Sequence, residues 1–375
     1  MTQKKLISGF ATPEGTVRYK TRFQGKLDAS HFRERNNLWF SSIGMGSYLG
    51  ESDDATDASY IEGLKEAVVS GVNVIDSAIN YRSQRSERSF GRALSDLIES
   101  GTIKRDEVIL CTKGGFLPFD GSYPPDPMSY FKKTYIETGI LKPEEIVEGC
   151  HAMTPRYLED QLKRSCENLG VETLDIYYLH NPETQLAEID RKSFNERLRT
   201  AFEFLEKKVS EGKIRYYGTA TWNGYRVSPE KDDYLSLEDM VLIAREAGGV
   251  NHHFKAIQLP INLAMPEAWV LANQRYGASL VPLLGMAERV GVTVIGSAAL
   301  LQARLTGQLP EYFTRHFPNL KTSAQYCLQF ARSLPGVTTS LVGMKNKEHV
   351  RENLETAKIP ALTEEQLFMM FQKAE

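Results

Sequence analysis

Four side chains suited to proton transfer stand where apolar segments end. They are Asp76 and Tyr81 in V-I-D-S-A-I-N-Y, Lys113 in V-I-L-C-T-K, and His180 in L-D-I-Y-Y-L-H. A phenol or an imidazole can give or accept a proton during a reaction. A lysine that closes an apolar segment indicates a neighbouring acid, because burying an unpaired ammonium costs several kcal/mol. If the fold brings the four together, they predict an active site.

The surrounding sequence predicts an alternation of strands and amphipathic helices. Strands are predicted near residues 39–46, 72–76, 107–112, 173–179, 214–220, 255–259, 292–296 and 338–342. Helices are predicted near residues 57–70, 86–99, 155–169, 194–211, 236–247, 278–290, 322–334 and 346–357. Eight strand–helix units without a break in composition favour one closed (β/α)8 TIM barrel over a doubly wound sheet of two domains. In such a barrel the strand ends at 76, 113 and 180 meet at one face. The alternative for this segment is that Asp76 only caps the next turn and Tyr81 lies on a surface loop.

The predicted domain organisation is a single barrel domain over residues 1–375. Residues 1–37 form an N-terminal β-hairpin and lead-in, with the hairpin at 6–23 around T-P-E-G; residues 38–357 form the barrel; and residues 358–375 form a C-terminal tail helix. In T-P-R-Y, Thr154 is predicted as an N-cap and Pro155 as the first helical residue, where its missing N–H costs nothing.

Two connections exceed the usual short lengths and follow strand ends on the predicted catalytic face, at residues 114–153 and 260–277. The first contains the rings of Phe116, Phe119, Tyr123, Tyr130, Phe131 and Tyr135, and the second those of Trp269 and Tyr276. The two long loops at the C-terminal face are candidate lids. The alternative is a satellite core packed on the side of the barrel.

Composition excludes several classes of function. The 45 Lys and Arg residues against 48 Asp and Glu give a net charge of -3, so we expect no nucleic-acid partner. The four cysteines are widely spaced and His252–His253 has no further ligands nearby, so no metal site and no disulfide frame is predicted. No apolar segment approaches the length of a membrane span or signal sequence, and we expect a cytoplasmic protein without a membrane partner. The oligomeric state cannot be inferred.

These motifs resemble the aldo-keto reductase family from about residue 40 to residue 357. The resemblance rests on G-M-G-S at 44–47, D-S-A-I-N-Y-R at 76–82, Ser86–Glu87 and Gly91, and on segments 212–218, 256–263 and 342–354. It implies a TIM barrel and a catalytic tetrad of Asp76, Tyr81, Lys113 and His180. The implied reaction is NAD(P)H-dependent reduction of an aldehyde or ketone, or the reverse, with a sugar or another polar carbonyl as substrate. Tyr81 would be the general acid, with its pKa lowered by Lys113.

The resemblance also implies the cofactor-binding residues, for NADP with NAD as the alternative. They are Gly46, Ser47, Asp76, Thr221, Gln258, Ser297, Lys345, Glu352 and Asn353. The resemblance places Thr221 and Ser297 at the nicotinamide, and Glu352 and Asn353 on the adenine side. Three of these or neighbouring positions differ from the family pattern: Ala220–Thr221 replaces a Ser-Asn pair, and Ser297 replaces an aromatic residue. Lys345 is the clear cation for a 2'-phosphate, unless it is simply solvated.

Arg82 and Trp222 are predicted to contact the substrate. Arg82 replaces a glycine that usually follows the catalytic tyrosine in this family, and a guanidinium can bind an anionic or polyhydroxylated group through two hydrogen bonds. Pairing with an acid in the aromatic connection, residues 114–153, is the alternative for Arg82. The second class of function is a cofactor-binding regulatory or partner-binding module with little turnover, like the potassium-channel β subunits of this family.

Overall fold

A computed structural model of the protein describes residues 5–314 and 319–371. The strands of these residues are β1 Phe32–Arg35, β2 Leu38–Ser41, β3 Ile43–Gly46, β4 Val74–Asp76, β5 Ile109–Gly114, β6 Leu174–His180, β7 Ile214–Ala220, β8 Phe254–Pro260, β9 Ala272–Tyr276, β10 Ser279–Pro282, β11 Thr293–Ser297 and β12 Val337–Gly343. Eight of them, β3 to β8 with β11 and β12, pair in parallel and close into a barrel through β12 and β3. The predicted (β/α)8 fold is therefore confirmed.

Helices follow the barrel strands and cover them. In the described ranges they are α1 Pro13–Thr21, α2 Asp54–Val69, α3 Arg85–Glu99, α4 Pro127–Phe131, α5 Pro155–Leu169, α6 Arg191–Ser210, α7 Leu237–Gly248, α8 Glu267–Val270, α9 Leu283–Val290, α10 Glu311–Thr314, α11 Ser323–Ser333, α12 Lys347–Leu354 and α13 Glu364–Met369. None of the described helices is long and apolar enough to cross a membrane. Thr154 stands at the N-cap of α5 as predicted, but its hydroxyl makes no capping hydrogen bond.

An N-terminal hairpin is present, but the prediction that it spans residues 6–23 is wrong. Residues Pro13–Thr21 form α1, because the Thr12 side chain accepts a hydrogen bond from the Gly15 amide at 2.9 Å and Pro13 starts the helix. The hairpin is formed instead by β1 and β2, which pair antiparallel from Phe32↔Ser41 to Arg35↔Leu38. The predicted first core strand at 39–46 is consequently divided between this hairpin and β3.

The predicted helix at 278–290 is also partly wrong, because residues 279–282 form β10. This strand pairs with β9 in a second hairpin, with Gly277 at φ +61° in the turn, and α9 begins only after Pro282. The other predicted barrel strands and major helices agree with the structure to within about three residues.

The interior of the barrel is filled by apolar side chains from neighbouring strands. Val74, Ile109, Ile176, Ala256 and Ile295 belong to this cluster. Leu38 and Phe40 of β2 join it, and the Ser41 amide donates to the Asn73 side chain at the start of β4 at 2.8 Å. The hairpin therefore closes the N-terminal end of the barrel, which leaves the opposite end open for a site.

Candidate active site

Asp76 and Lys113 form a buried ion pair at the C-terminal ends of β4 and β5. The Lys113 ammonium lies 2.5 Å from Asp76 Oδ1 and donates to the Ser77 carbonyl at 2.7 Å. The Gln258 amide donates to Asp76 Oδ2 at 2.8 Å. Burial opposes the charge on Lys113, but Asp76 and Tyr81 outweigh it and raise the pKa of the ammonium. Lys113 therefore remains charged although almost no solvent reaches it.

Tyr81 and His180 lie beside this pair. The Lys113 ammonium is 4.9 Å from the centre of the Tyr81 ring, and the Tyr81 and His180 rings are 5.8 Å apart. The structure thus brings together the four residues predicted from the sequence. They come from three neighbouring strands and from the turn that follows β4, where the Tyr81 amide donates to the Ala78 carbonyl at 3.0 Å.

Burial sets the protonation of Tyr81 and His180. It raises the pKa of Tyr81, and the Lys113 ammonium offsets only part of the rise. The predicted lowering of the Tyr81 pKa is therefore wrong in its net direction. Burial, followed by the charge of Lys113 and by His151, holds the pKa of His180 well below its usual value. Near neutral pH the phenol keeps its proton and the imidazole is neutral, so Tyr81 can give a proton and His180 can donate or accept one hydrogen bond.

A cavity of about 490 Å³ opens above these residues at the C-terminal face of the barrel. Asp76, Tyr81 and His180 line it, whereas Lys113 lies behind them. The predicted cofactor residues Gly46, Ser47, Thr221, Gln258 and Ser297 line it as well, as does the predicted substrate residue Trp222.

Three predicted cofactor residues lie outside the lining of this cavity. Lys345 is exposed, and its ammonium is 3.3 Å from the position that a Cβ on Gly50 would occupy. Glu352 accepts a hydrogen bond from the Thr322 hydroxyl at 2.6 Å, and Asn353 is buried in α12. These three residues remain predictions for the outer part of a dinucleotide.

Arg82 points away from the cavity and does not line it. Its guanidinium donates to Asp57 at 2.6 Å and to the Glu51 carbonyl at 2.8 Å, and it lies 5.2 Å from the centre of the Tyr60 ring. The side chain is 1% exposed. This placement favours pairing with an acid over contact with substrate, although the acid lies in α2 and not in the aromatic connection.

Several lining residues were not predicted. They include Tyr48, Asn80, Phe116 and Asn181, each of which is within three residues of a predicted site residue along the chain. Another group, Ala298, Ala299, Leu300, Gln302 and Ala303, follows β11. Ala298, Gln302 and Ala303 have positive φ values of 53°, 55° and 67°. Such values are uncommon for residues other than glycine, and nothing in the local sequence indicates them.

The two predicted lid segments contribute little to the cavity. In the first, Phe116 lines the cavity, while Tyr135 packs with Leu117, Leu141, Ala152 and Tyr157 in a separate apolar cluster. In the second, Trp269 packs 4.9 Å from Phe368. Among the described residues, the satellite-core alternative therefore holds for most of these rings. The residues after β11 form more of the cavity wall than either predicted lid.

Comparisons with known proteins agree with this fold. Residues 42–228 match the model of the aldo/keto reductase family. The chain is 22% identical to an uncharacterised oxidoreductase of Bacillus subtilis, YqkF, over 88% of this chain and 92% of that protein. It is 23% identical to a putative voltage-gated potassium channel subunit beta of Schizosaccharomyces pombe, over 92% of this chain and 93% of that protein.

Among solved structures, the chain resembles an aldo/keto reductase from Klebsiella pneumoniae in complex with NADP and acetate. The TM-score is 0.58 with 22% identity, over 91% of this chain and 94% of that chain. The closed barrel and the family match define a (β/α)8 protein of an oxidoreductase family. The chain belongs to the aldo-keto reductase family.

Proposed function

We propose that the protein reduces an uncharged aldehyde or ketone, or oxidises the corresponding alcohol, with a nicotinamide dinucleotide as hydride carrier. The observation that carries the proposal is the convergence of Asp76, Tyr81 and His180 on one cavity, with the buried Lys113 ammonium behind them, paired with Asp76 and 4.9 Å from the centre of the Tyr81 ring. General acid–base catalysis of carbonyl reduction needs a proton donor next to a group that stabilises the resulting anion.

The cavity has features that fit a nicotinamide dinucleotide. A Cβ added to Gly46 or Gly343, both of which line the cavity, would meet no atom within 4 Å, so the backbone leaves open space there. The Thr221 hydroxyl is buried without a partner among the described residues. We propose NADP as the cofactor and NAD as the alternative, and the Klebsiella structure described as an NADP complex supports this choice. When bound in reduced form, the cofactor supplies a hydride.

Gly46, Ser47, Asp76, Thr221, Gln258 and Ser297 are proposed to hold the nicotinamide end. Lys345, Glu352 and Asn353 are proposed for the adenosine end. The backbone of Lys345 is fixed by close packing against α2, because a Cβ on Gly63 would lie 2.8 Å from the Lys345 carbonyl oxygen. The exposed ammonium of Lys345 can attract a 2'-phosphate from this position.

Tyr81 is proposed as the general acid of the reduction. Its raised pKa keeps the phenol protonated at neutral pH, and loss of its proton leaves a phenolate beside the Lys113 ammonium. That charge stabilises the phenolate, while Asp76 keeps the ammonium in place. His180 is neutral and is proposed to orient the carbonyl oxygen through a hydrogen bond. In the reverse direction the same phenolate would accept the alcohol proton.

We propose an uncharged substrate with both an apolar and a polar part. Among the described residues that line the cavity there is no lysine or arginine, and the one carboxylate, Asp76, is paired with Lys113. The rings of Tyr48, Phe116 and Trp222 provide an apolar wall, and three amides provide hydrogen bonds. The amides are those of Asn80, Asn181 and Gln302. A carboxylate or phosphate group on the substrate would therefore find no cation in the lining.

The proposal is tested by titrating the protein with NADPH and NADH, following fluorescence, and then measuring consumption of the reduced cofactor. The carbonyl panel pairs a neutral aldehyde with its carboxylated analogue, and a neutral aldose with its phosphorylated form. We expect NADPH binding and turnover of the neutral member of each pair. Absence of binding by either dinucleotide, or turnover of the anionic members alone, would contradict the proposal.

Similarity to the putative channel subunit of Schizosaccharomyces pombe favours a second candidate, a cofactor-binding regulatory module. The same experiment separates the two functions. Tight NADPH binding without turnover of any carbonyl in the panel would favour the module over the enzyme.

A further inference from the structure

No hydrogen bond at Nδ1 fixes the position of the His180 ring, because this nitrogen is buried without a partner among the described residues. The ring is flanked by Tyr81, with centroids 5.8 Å apart, and by Phe116, with centroids 5.1 Å apart. Ring contacts of this kind restrict tilt, but they do not fix the distance from the ring to a substrate oxygen. That distance depends on where the His180 main chain is held.

A chain of three hydrogen bonds ends on the main chain of His180. The Arg197 guanidinium, which can only donate, lies 2.6 Å from Gln185 Oε1, so the Gln185 Nε2 group faces His151 Nδ1 at 2.9 Å. His151 Nδ1 must then accept, which places the His151 proton on Nε2. That nitrogen lies 2.8 Å from the His180 carbonyl oxygen and donates to it. Burial lowers the pKa of His151 to about 4, so the ring stays in this neutral form.

The segment carrying His151 is itself anchored to the end of β5. The Ala152 amide donates to the Gly115 carbonyl at 3.0 Å, and the Leu117 amide donates to the Cys150 carbonyl at 2.7 Å. A Cβ on Gly115 would lie 2.8 Å from both His151 Nε2 and the His180 carbonyl oxygen. Only glycine leaves room for this hydrogen bond directly after the strand that carries Lys113.

We infer that His151 is a positioning residue for His180: it holds the main chain at the end of β6 and so sets the distance of the His180 ring from the reacting oxygen. The inference rests on the proposed function for its kinetic consequence, but the hydrogen bond and the ring position can be measured without turnover. Gln185 and Arg197 act one step further out, by fixing which ring nitrogen of His151 carries the proton.

Two substitutions of His151 separate its hydrogen bond to the His180 carbonyl from its hydrogen bond to Gln185. A glutamine side chain reaches about as far as imidazole Nε2, so His151→Gln retains a donor for the His180 carbonyl and loses the contact with Gln185. An asparagine side chain reaches about as far as Nδ1, so His151→Asn retains the contact with Gln185 and loses the bond to His180. Each variant loses one buried hydrogen bond, which makes the two matched in polarity and in expected loss of stability.

The first measurement is NMR of the seven histidine side chains in protein labelled with ¹⁵N-histidine. We expect the Nε2–H tautomer for His151 in the parent protein, and a His180 signal that moves in His151→Asn but stays in place in His151→Gln. An Nδ1–H tautomer for His151, or equal displacement of the His180 signal in both variants, would overturn the inference.

The second measurement is kcat, with NADPH affinity measured in parallel. We expect kcat to fall about 10- to 100-fold in His151→Asn and to stay within about 3-fold of the parent in His151→Gln, because a small displacement of a catalytic group costs this much in rate. NADPH affinity should change by less than about 2-fold in both. Equal losses of kcat in the two variants would overturn the inference. A parent without turnover would instead contradict the proposed function, and the NMR result would still decide the role of His151.

Discussion

The buried ion pair between Lys113 and Asp76 predicts a large and non-additive effect on stability. The two side chains are 1% and 4% exposed and lie 2.5 Å apart. In Lys113→Met, the Asp76 carboxylate stays buried with the Gln258 amide as its remaining partner. Removing one member of such a pair costs about 3–5 kcal/mol, because the other charge is left without compensation. We therefore expect the free energy of unfolding to fall by about this amount at neutral pH.

The matched changes are Asp76→Asn and the double variant. Asp76→Asn leaves the Lys113 ammonium with the Ser77 carbonyl at 2.7 Å, and should also cost several kcal/mol. In the double variant neither charge remains, so its cost should be smaller than the sum of the two single costs by at least about 2 kcal/mol. The assay is urea unfolding of the four proteins without cofactor, followed by circular dichroism.

The pH dependence of Lys113→Met gives an independent check. Burial already raises the pKa of Asp76 in the parent, and the Lys113 charge offsets part of that rise. Without Lys113 the rise is larger, and a carboxyl shifted in this direction costs stability above its unfolded pKa. The deficit of the variant should therefore shrink as the pH is lowered towards that value. Single costs that add to within about 0.5 kcal/mol in the double variant would refute the reasoning, as would a deficit that does not change between pH 8 and pH 5.

Arg82, Lys345 and two buried histidines provide three further predictions. Arg82→Ala should lower the free energy of unfolding by about 1–3 kcal/mol, because the Glu51 carbonyl loses its donor and Asp57 keeps only Arg85 as an ion-pair partner. It should change KM equally for a neutral substrate and its carboxylated analogue, and a selective rise in KM for the anionic one would restore the substrate role of Arg82. Lys345→Ala should reduce the ratio of NADPH to NADH affinity. The reduction should be no more than a few-fold, because the ammonium is exposed. An unchanged ratio would show that Lys345 does not contact the phosphate. Burial lowers the pKa of His31 to about 3 and that of His151 to about 4. Below about pH 6.5 these histidines take up protons in the unfolded state but not in the folded state, so each histidine should lower the free energy of unfolding by about 2 kcal/mol between pH 7 and pH 5. Equal free energies of unfolding at the two pH values would contradict this.

The strand ends could be predicted from the sequence because their signal is local. Asp76, Lys113 and His180 each close an apolar segment that can only be a buried strand, and parallel strands bring their carboxyl ends together. Convergence then follows from the fold without any knowledge of distances. The direction of the Tyr81 pKa did not follow, because the sequence indicates the nearby lysine but not how completely the phenol is buried.

The prediction for the N-terminal segment is wrong because the same local signal has two meanings. T-P-E-G at residues 12–15 predicts a turn and T-P-R-Y at 154–157 predicts a helix start, but in the structure both begin a helix. The glycine that suggests a turn, Gly15, instead allows close packing of α1, because a Cβ at this position would lie 2.1 Å from the Asp106 carbonyl oxygen. Such a contact with a distant segment leaves no mark in the local sequence.

The roles of Arg82 and of the residues after β11 were hidden for a related reason. An arginine next to the catalytic tyrosine can point to either side, and the location of Asp57 in α2 decides which. The positive φ values of Ala298 and Ala303 arise in a segment whose residue types indicate nothing unusual. Both features depend on contacts across the fold, which periodicity cannot reveal.

The central claim is that Tyr81 gives the proton to the carbonyl oxygen, and Tyr81→Phe tests it most directly. Tyr48 provides a matched control, because its ring lies 5.0 Å from that of Tyr81 and lines the same cavity but is 54% exposed. We expect kcat to fall about 100- to 10,000-fold in Tyr81→Phe, with NADPH affinity within about 2-fold of the parent, and to stay within about 3-fold in Tyr48→Phe. Retention of most of kcat by Tyr81→Phe, or an equal loss in Tyr48→Phe, would contradict the assignment of Tyr81 as the general acid.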